Sequence, residues 1–359
     1  MAVTTGMLGH GFYDHHSAPQ WAAIETVLPW LEDAITTLAL AVEPPPIGIA
    51  DFGCSEGRNS VRVMQRLIPA VRAQTRHPIL TIHSDLPSND YTGLLGRLRA
   101  DGHSVFGDGA FSAVVGGSMF EQLLPASMLQ LAMTFNAIGF LSRRPVARLP
   151  GYILPNGPSR LRGVGDVGPE EAHAFAAQAA SDVESFLWSR AAELRPGGKL
   201  LVQVFGAGEA GRTCDGIYDA LNDAVLEALD QGLIDRDGYE AYYQPVYFRT
   251  LPELTSPVVG PAAPLGAVFR LERAETYEVE VPFVRDFRQS GDAATFAARY
   301  TGFFRAFCEP VLRQAFPRPD VDQLADTIFD RAERMIRDHP ERYEFHYVSV
   351  AMLLTRLNG

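Results

Sequence analysis

With 359 residues, 47% of them hydrophobic and 21% charged, the chain has room for one large α/β domain plus an appendage. A formal charge of −12 at pH 7 supplies no basic face of the kind that displaces counterions from nucleic acid, so no nucleic-acid partner is expected. Three widely spaced cysteines (Cys54, Cys214, Cys308) make neither a disulfide framework nor a zinc pattern and fit a reducing cytoplasm. Met1 to Gly9 lacks a basic n-region and an apolar core, so no signal peptide is expected, and no apolar run reaches about 18 residues, so no membrane partner is expected.

The N-terminus places Tyr13, Ser17 and Gln20 at helical spacing, ahead of a helix predicted from Trp21 to Val42 with Ser17 as N-cap and Pro19 in its first turn. His10, His15 and His16 lack metal-ligand spacing. Pro44-Pro45-Pro46 ends that helix. The chain is organised around the next stretch, which runs from an apolar strand (Ile47 to Ala50) through Asp51-Phe52-Gly53-Cys54-Ser55-Glu56-Gly57-Arg58-Asn59 to an amphipathic helix from Val61 to Ile68. Strand, glycine turn and helix open a nucleotide-binding α/β unit, and glycines there let backbone approach a ligand closely. The spacing is G-x-x-x-G, without the G-x-G-x-x-G of a dinucleotide site or the lysine of a P-loop. Asp51 is a poor neighbour for pyrophosphate and a good one for a cation. Asp85 ends the next strand (Ile79 to Ser84), and the pair suits S-adenosylmethionine, which carries an ammonium, a sulfonium and a ribose.

Ala113 to Phe120 predicts a third strand running into a glycine turn, and Met128 to Leu141, which holds Asn136 and Phe140, mixes strand and turn signals. Pro145 to Gly168 reads as a surface excursion, Glu170 to Leu194 as a helix, Arg195-Pro196-Gly197-Gly198 as its stop, and Lys199 to Phe205 as a strand. Beyond Gly206 come a helix from Asp215 to Gln231, a hairpin of two late strands over Val268 to Val281, and helices over Asp292 to Ala315 and Asp320 to Arg337. Phe345 to Leu357 is a final strand or helix. This half is rich in aromatics, among them Tyr218, Phe303, Phe304, Phe307, Tyr343 and Tyr347. Such a set suits a helical cap over a pocket and equally an ordinary helical core.

Taken in series, these segments resemble the SABATH methyltransferases, which methylate salicylic, benzoic and jasmonic acids and purine alkaloids. The family's Y-x-x-N-S-x-x-Q, D-L-G-C-S-x-G-x-N, D-L-P-x-N-D, G-S-F-Y and R-A-x-E-L-x-P-G-G correspond to Tyr13…Ser17…Gln20 (with His16 in place of the Asn), Asp51…Asn59, Asp85-Leu86-Pro87-Ser88-Asn89-Asp90, Gly117-Ser118-Met119-Phe120 and Arg190…Gly198. The resemblance implies an α/β fold, a class I Rossmann-like methyltransferase sheet with a mainly helical cap. Its implied division is a cofactor domain over 1–210 with a substrate-gating segment 1–24, and a cap over 211–345 with late strands over 246–281. A terminal core element covers 346–359. It implies an S-adenosylmethionine site at Tyr13, Ser17, Asp51, Gly53, Gly57, Asn59, Asp85, Leu86, Ser118 and Met119. It implies an acceptor site at Gln20, Asn136, Phe140, Tyr218, Phe304, Phe307 and Tyr343. Family members place a Trp donor in S-S-Y-S-L-x-W-L-S. That segment aligns with Thr134-Phe135-Asn136-Ala137-Ile138-Gly139-Phe140-Leu141-Ser142, so Phe140 replaces the Trp, and Tyr218 replaces a second one.

The expected activity is methyl transfer from S-adenosylmethionine to the carboxylate oxygen of a small aromatic or fatty acid, leaving a methyl ester and S-adenosylhomocysteine. No general base is needed because the acid is already ionised at pH 7. Gln20 would orient it. The alternatives are methylation of a neutral heterocycle or phenol, since Phe140 removes a donor, and a non-catalytic S-adenosylmethionine-binding module. A nicotinamide dehydrogenase is disfavoured by the absent G-x-G-x-x-G. Some relatives take Mg2+, but no carboxylate cluster here calls for a metal. A cytoplasmic homodimer is expected, and the Ala/Arg/Gly/Pro-rich composition suggests a bacterial source.

Overall fold

The computed structural model describes residues 6–40, 44–100, 102–209 and 211–358. Apolar runs with no polar alternation become the centre of a sheet covered on both faces. Strand β1 (Ile47–Phe52) is buried at every position, and so is β4 (Leu129–Phe135). Around them lie β2 (Ile79–Asp85), β3 (Ala110–Gly116), β5 (Leu194–Phe205), β6 (Phe269–Val279) and β7 (Tyr347–Arg356). The order across the sheet is β3-β2-β1-β4-β5-β7-β6. Strands β1 to β5 run parallel to one another, and β7 is antiparallel to both β5 and β6. The order reverses between β1 and β4, so the crevice outside their carboxyl ends is where such a sheet takes a ligand.

Helix α1 (Phe12–His16) and helix α2 (Ala18–Thr36) precede the sheet, and α2 packs with α3 (Arg58–Gln74) on one face of it. Helix α4 (Pro169–Glu193) covers the other face through Val183, Phe186 and Leu187. Helices α5 (Ile217–Asp230), α6 (Ala293–Ala315) and α7 (Val321–Asp338) share a separate aromatic-rich core above the strand ends.

Four expectations are corrected. The hairpin over Val268 to Val281 is one strand, β6, at the sheet edge. Its alternation is that of a strand with one covered face, and its partner is β7 from the far end of the chain. Upstream, residues 246–255 hold two isolated bridges, Val246 to Phe140 and Arg249 to Gly206, and a capped helical turn at Leu251–Thr255. The first helix stops at Thr36, short of Val42, which lies outside the described residues. The excursion from Pro145 to Gly168 is irregular but not superficial: Tyr152, Ile153 and Leu154 are buried in the cap core, an apolar triplet that the surrounding Gly and Pro content masked.

One buried ion pair ties α4 to the loop after β3. Arg190 and Glu193 have no exposed side-chain surface and meet at 2.8 Å. Arg190 lies 3.7 Å over the Phe52 ring and donates to the carbonyls of Met119 (2.8 Å) and Glu121 (2.9 Å). Glu193 Oε1 accepts the backbone N–H groups of Leu123 (2.6 Å) and Leu124 (3.0 Å). The Arg…Glu motif thus holds the loop that carries Ser118 and Met119. Arg190→Met leaves Glu193 as an uncompensated buried charge and is expected to lower unfolding free energy by about 3 to 5 kcal/mol. Urea denaturation checks this, with a lower midpoint expected.

Candidate active site

The turn after β1 is built by backbone constraints. Gly53 sits at φ 93° and Gly57 at φ 90°, a region that favours glycine. A Cβ on Gly53 would lie 2.2 Å from the Ala137 Cβ, and one on Gly57 2.5 Å from Leu94 Cδ1. Both glycines are therefore required by protein packing.

Asp51 closes β1. Its carboxyl is buried, Oδ1 has no hydrogen-bond partner, and desolvation pushes its pKa up to about 7, with Asp85 adding repulsion and a Ser60 bond opposing the rise. Asp85 closes β2, the adjacent strand. Its Oδ2 accepts the Ser55 N–H (2.7 Å) and its Oδ1 the Leu86 N–H (2.8 Å). Burial raises its pKa as well, and those two backbone bonds oppose the rise. His83 pairs in register with Asp51, but it is a core residue. Its Nδ1 lies 2.7 Å from Ser60 Oγ, and burial lowers its pKa to about 4.

A cleft of about 1000 Å³ opens from these strand ends into the cap. At the sheet end it is lined by Gly53, Ser55, Asp85, Leu86, Ser118 and Met119, and Gly57 stands outside it. At the cap end it is lined by Phe140, Phe205, Tyr218, Phe248, Phe303 and Phe307, with Tyr13, Gln20, Asn136, Thr213 and Tyr347 between them. None of the described residues that line the cleft is Lys, Arg or His. Among the described residues, no group of three or more His, Cys, Asp or Glu could hold a metal ion, and no helix is long and apolar enough to cross a membrane.

The N-terminal segment closes one wall. Glu56, in the turn after β1, accepts the N–H of Gly11 (2.6 Å) and of Asp14 (3.2 Å). Arg97 pairs with Asp14 at 2.7 Å, and the Leu8 N–H donates to the Ala306 carbonyl of α6 (2.9 Å). These ties bring Tyr13 and Gln20 to the cleft from outside the sheet. Gln20 Oε1 is enclosed without a partner.

Of the residues singled out from sequence, Tyr13, Gln20, Gly53, Asp85, Leu86, Ser118, Met119, Asn136, Phe140, Tyr218 and Phe307 line this one cleft. Asp51 and Asn59 are not in its lining, although each keeps a buried side-chain oxygen without a partner. Ser17 lines a separate surface groove with Arg58 and Asn59, its Oγ donating to the Asp14 carbonyl (3.3 Å).

Two acceptor-site expectations are corrected. Phe304 is fully buried, 5.8 Å from Phe329 of α7, and Tyr343 donates to Asp223 Oδ2 (3.0 Å), so both belong to the cap core. Phe303 takes the place expected of Phe304. It lies at i, i+4 from Phe307, but Phe304 lies at i, i+3 from the same residue, so helical spacing alone does not choose between the two. Phe205 ends β5, where a strand-end rule would have found it. Met7, Thr213, Ile217, Phe248 and Tyr347 reach the cleft from loops, a helix start and an antiparallel strand and carried no local signal.

The sheet order and the reversed β7 are those of the class I, Rossmann-like methyltransferase fold. The fold matches a solved structure titled loganic acid methyltransferase with SAH at a TM-score of 0.80 and 21% identity, over 99% of each chain. Residues 3–357 match the family model described as SAM dependent carboxyl methyltransferase, and the chain belongs to that family, the one its motifs resemble. Similar relatives include the probable jasmonic acid carboxyl methyltransferase 1 of Theobroma cacao, 24% identical over 97% of this chain and 96% of the relative. Another is an S-adenosyl-L-methionine:benzoic acid/salicylic acid carboxyl methyltransferase of Petunia hybrida, 26% identical over 98% of this chain and 96% of the relative.

The unpartnered Asp51 oxygen, the Asn59 oxygen and the paired sheet-end acids fit a cofactor that carries a cation and hydroxyl groups. The raised pKa of Asp51 has a signed consequence. From the ordinary 3.8 up to about 7 the folded chain holds a proton that the unfolded chain has lost. This group's contribution to stability is therefore present below the ordinary value and lost as pH rises through about 7. A cation beside Asp51 favours the ionised form, so S-adenosylmethionine is expected to bind more tightly as pH rises from about 6 to about 8. Calorimetric titration checks this, and Asp51→Asn is expected both to weaken binding and to flatten the profile.

Proposed function

We propose that the protein transfers the methyl group of S-adenosylmethionine to a carboxylate oxygen of a small aromatic or fatty acid and releases the methyl ester. The observation that carries this reading is the chemistry of the cleft walls beyond the strand ends: apolar rings, neutral donors, and no Lys, Arg or His. A phenol, with a pKa near 10, would need a base to activate it, and the lining offers no imidazole or amine. A carboxylate arrives ionised and needs only placement. The two plant relatives, whose names give jasmonic, benzoic and salicylic acids, favour the same class of acceptor.

In this reading S-adenosylmethionine supplies an electrophilic methyl group on a sulfonium. Asp51 and Asn59 would face its cationic end, Asp85 would accept from ribose hydroxyls, and Leu86, Ser118 and Met119 would wall the rest. Gln20 presents a neutral amide to the acceptor oxygen and leaves it nucleophilic. An arginine there would pair with the charge that the reaction removes, stabilising the ground state more than the transition state. Tyr13 would sit where donor and acceptor meet. Phe140, Tyr218, Phe303 and Phe307 exclude water and so strip the carboxylate of part of its hydration. Alignment at contact distance then does most of the catalysis.

The test is an acid panel (benzoic, salicylic, jasmonic and medium-chain fatty acids) with methyl-labelled S-adenosylmethionine, beside phenols and N-heterocycles. Label is expected in methyl esters that mild base hydrolyses. Label only in phenol ethers or N-methyl products would overturn the reading. Gln20→Leu is expected to lower kcat/KM for the best acid roughly 10- to 100-fold while S-adenosylhomocysteine binding holds, as for loss of one bond to a charged group.

A further inference from the structure

Asn136 follows β4 with a left-handed backbone, φ 61°, and its N–H donates to the Gln203 carbonyl at 2.8 Å. Its side chain is aimed by a directed chain of hydrogen bonds. The Ser349 hydroxyl donates to the Val204 carbonyl (3.2 Å), so Ser349 Oγ must accept from the Gln203 amide nitrogen (2.6 Å). The second hydrogen on that nitrogen goes to Asn136 Oδ1 (3.1 Å), and the Tyr347 hydroxyl donates to the same oxygen (2.8 Å). Both acceptor positions of Oδ1 are thereby used by protein. The Nδ2 end is turned away from this network in a residue that lines the cleft, and it has no partner among the described residues.

The other polar groups nearby are differently placed. Thr213 Oγ1 has no hydrogen left to donate: it donates to the Val348 carbonyl (2.6 Å) and accepts the Val348 N–H (2.9 Å). Phe140, aligned with the family's Trp donor, offers only a ring, 5.9 Å from Phe205 and 6.4 Å from Phe307. With no cation among the described lining residues, a carboxylate there must be held by neutral donors.

We propose that Asn136 is the second carboxylate donor, its Nδ2 aimed into the cleft by Tyr347 and Gln203, in place of the indole that Phe140 lacks. Gln20 and Asn136 then form a pair of amides around one acceptor, and Tyr347 and Gln203 are positioning residues. This rests on the proposed carboxylate acceptor and adds to it which side chain selects the acid.

The test uses full-length protein with S-adenosylmethionine and whichever of benzoic, salicylic or jasmonic acid it methylates best. Asn136→Gly removes the donor and tolerates the left-handed backbone; Asn136→Asp keeps the shape and opposes the acceptor's charge. The glycine variant is expected to lower kcat/KM roughly 10- to 100-fold, mainly through KM, and the aspartate variant by more. S-adenosylhomocysteine affinity is expected to stay within about twofold in both, because the donor contacts the acceptor only. Tyr347→Phe frees one acceptor position on Oδ1 and is expected to raise KM by less. Phe140→Trp on the glycine background restores an N–H donor and is expected to recover part of the loss. Near wild-type kcat/KM in both Asn136 variants overturns the proposal, as does cofactor affinity falling in step with activity. Should the glycine variant not fold, the aspartate and Tyr347→Phe variants decide it by the same KM criterion. If wild-type protein methylates phenols or heterocycles but no acid, the carboxylate reading itself fails and this proposal falls with it.

Discussion

Two carboxylates buried at the ends of neighbouring parallel strands are the constraint on which the rest of the site depends. Burial disfavours their charge, and Asp51 answers by holding its proton close to neutrality. A protein gains nothing in stability from such an arrangement. Asp85 is partly compensated by the amides of Ser55 and Leu86, and Ser55 itself adopts φ 49° to make that contact. Asp51 keeps one oxygen without a partner, which is what an external cation would complete. Strain and unsatisfied polarity concentrated in one place are the usual mark of a binding site.

From that end the cleft changes character. The strand-end lining carries Asp85, and the cap side of the described lining is aromatic and uncharged. The difference separates two tasks. In the proposed function one end would neutralise a positive donor, and the other would receive an anion without holding it too firmly. The N-terminal segment belongs to both, because it is pinned to the β1 turn through Glu56 and to α6 through Leu8. Tyr13 and Gln20 therefore stand at the boundary. The Arg190–Glu193 pair does the same for the loop after β3, fixing its carbonyls and amides from behind the sheet. The departure at Phe140 also fits this division: a lost indole N–H leaves the apolar wall intact, and an amide in the preceding turn offers polarity from another direction.

The sequence by itself determined the strand–turn–helix around Asp51, the second acid at Asp85, the parallel core and the helices of the cap, because each is written in local periodicity, chain breaks and motif order. Tertiary structure alone decided the rest. Whether Phe303 or Phe304 faces the cleft depends on which side of α6 meets α7. The partner of β6 is β7 because a strand pairs across any separation in sequence, so an alternating run near Gly266 cannot name its neighbour. Tyr347 and Gln203 come together with Asn136 only because β7 runs back antiparallel beside β5 at the carboxyl end of β4. Gly53 and Gly57 were read from the sequence as letting backbone approach a ligand, whereas the atoms that a Cβ would meet, in Ala137 and Leu94, are protein atoms on other elements. Local pattern fixes what a segment is. Which side chains share one cleft is set by the packing of segments far apart in the chain, where no local signal reaches.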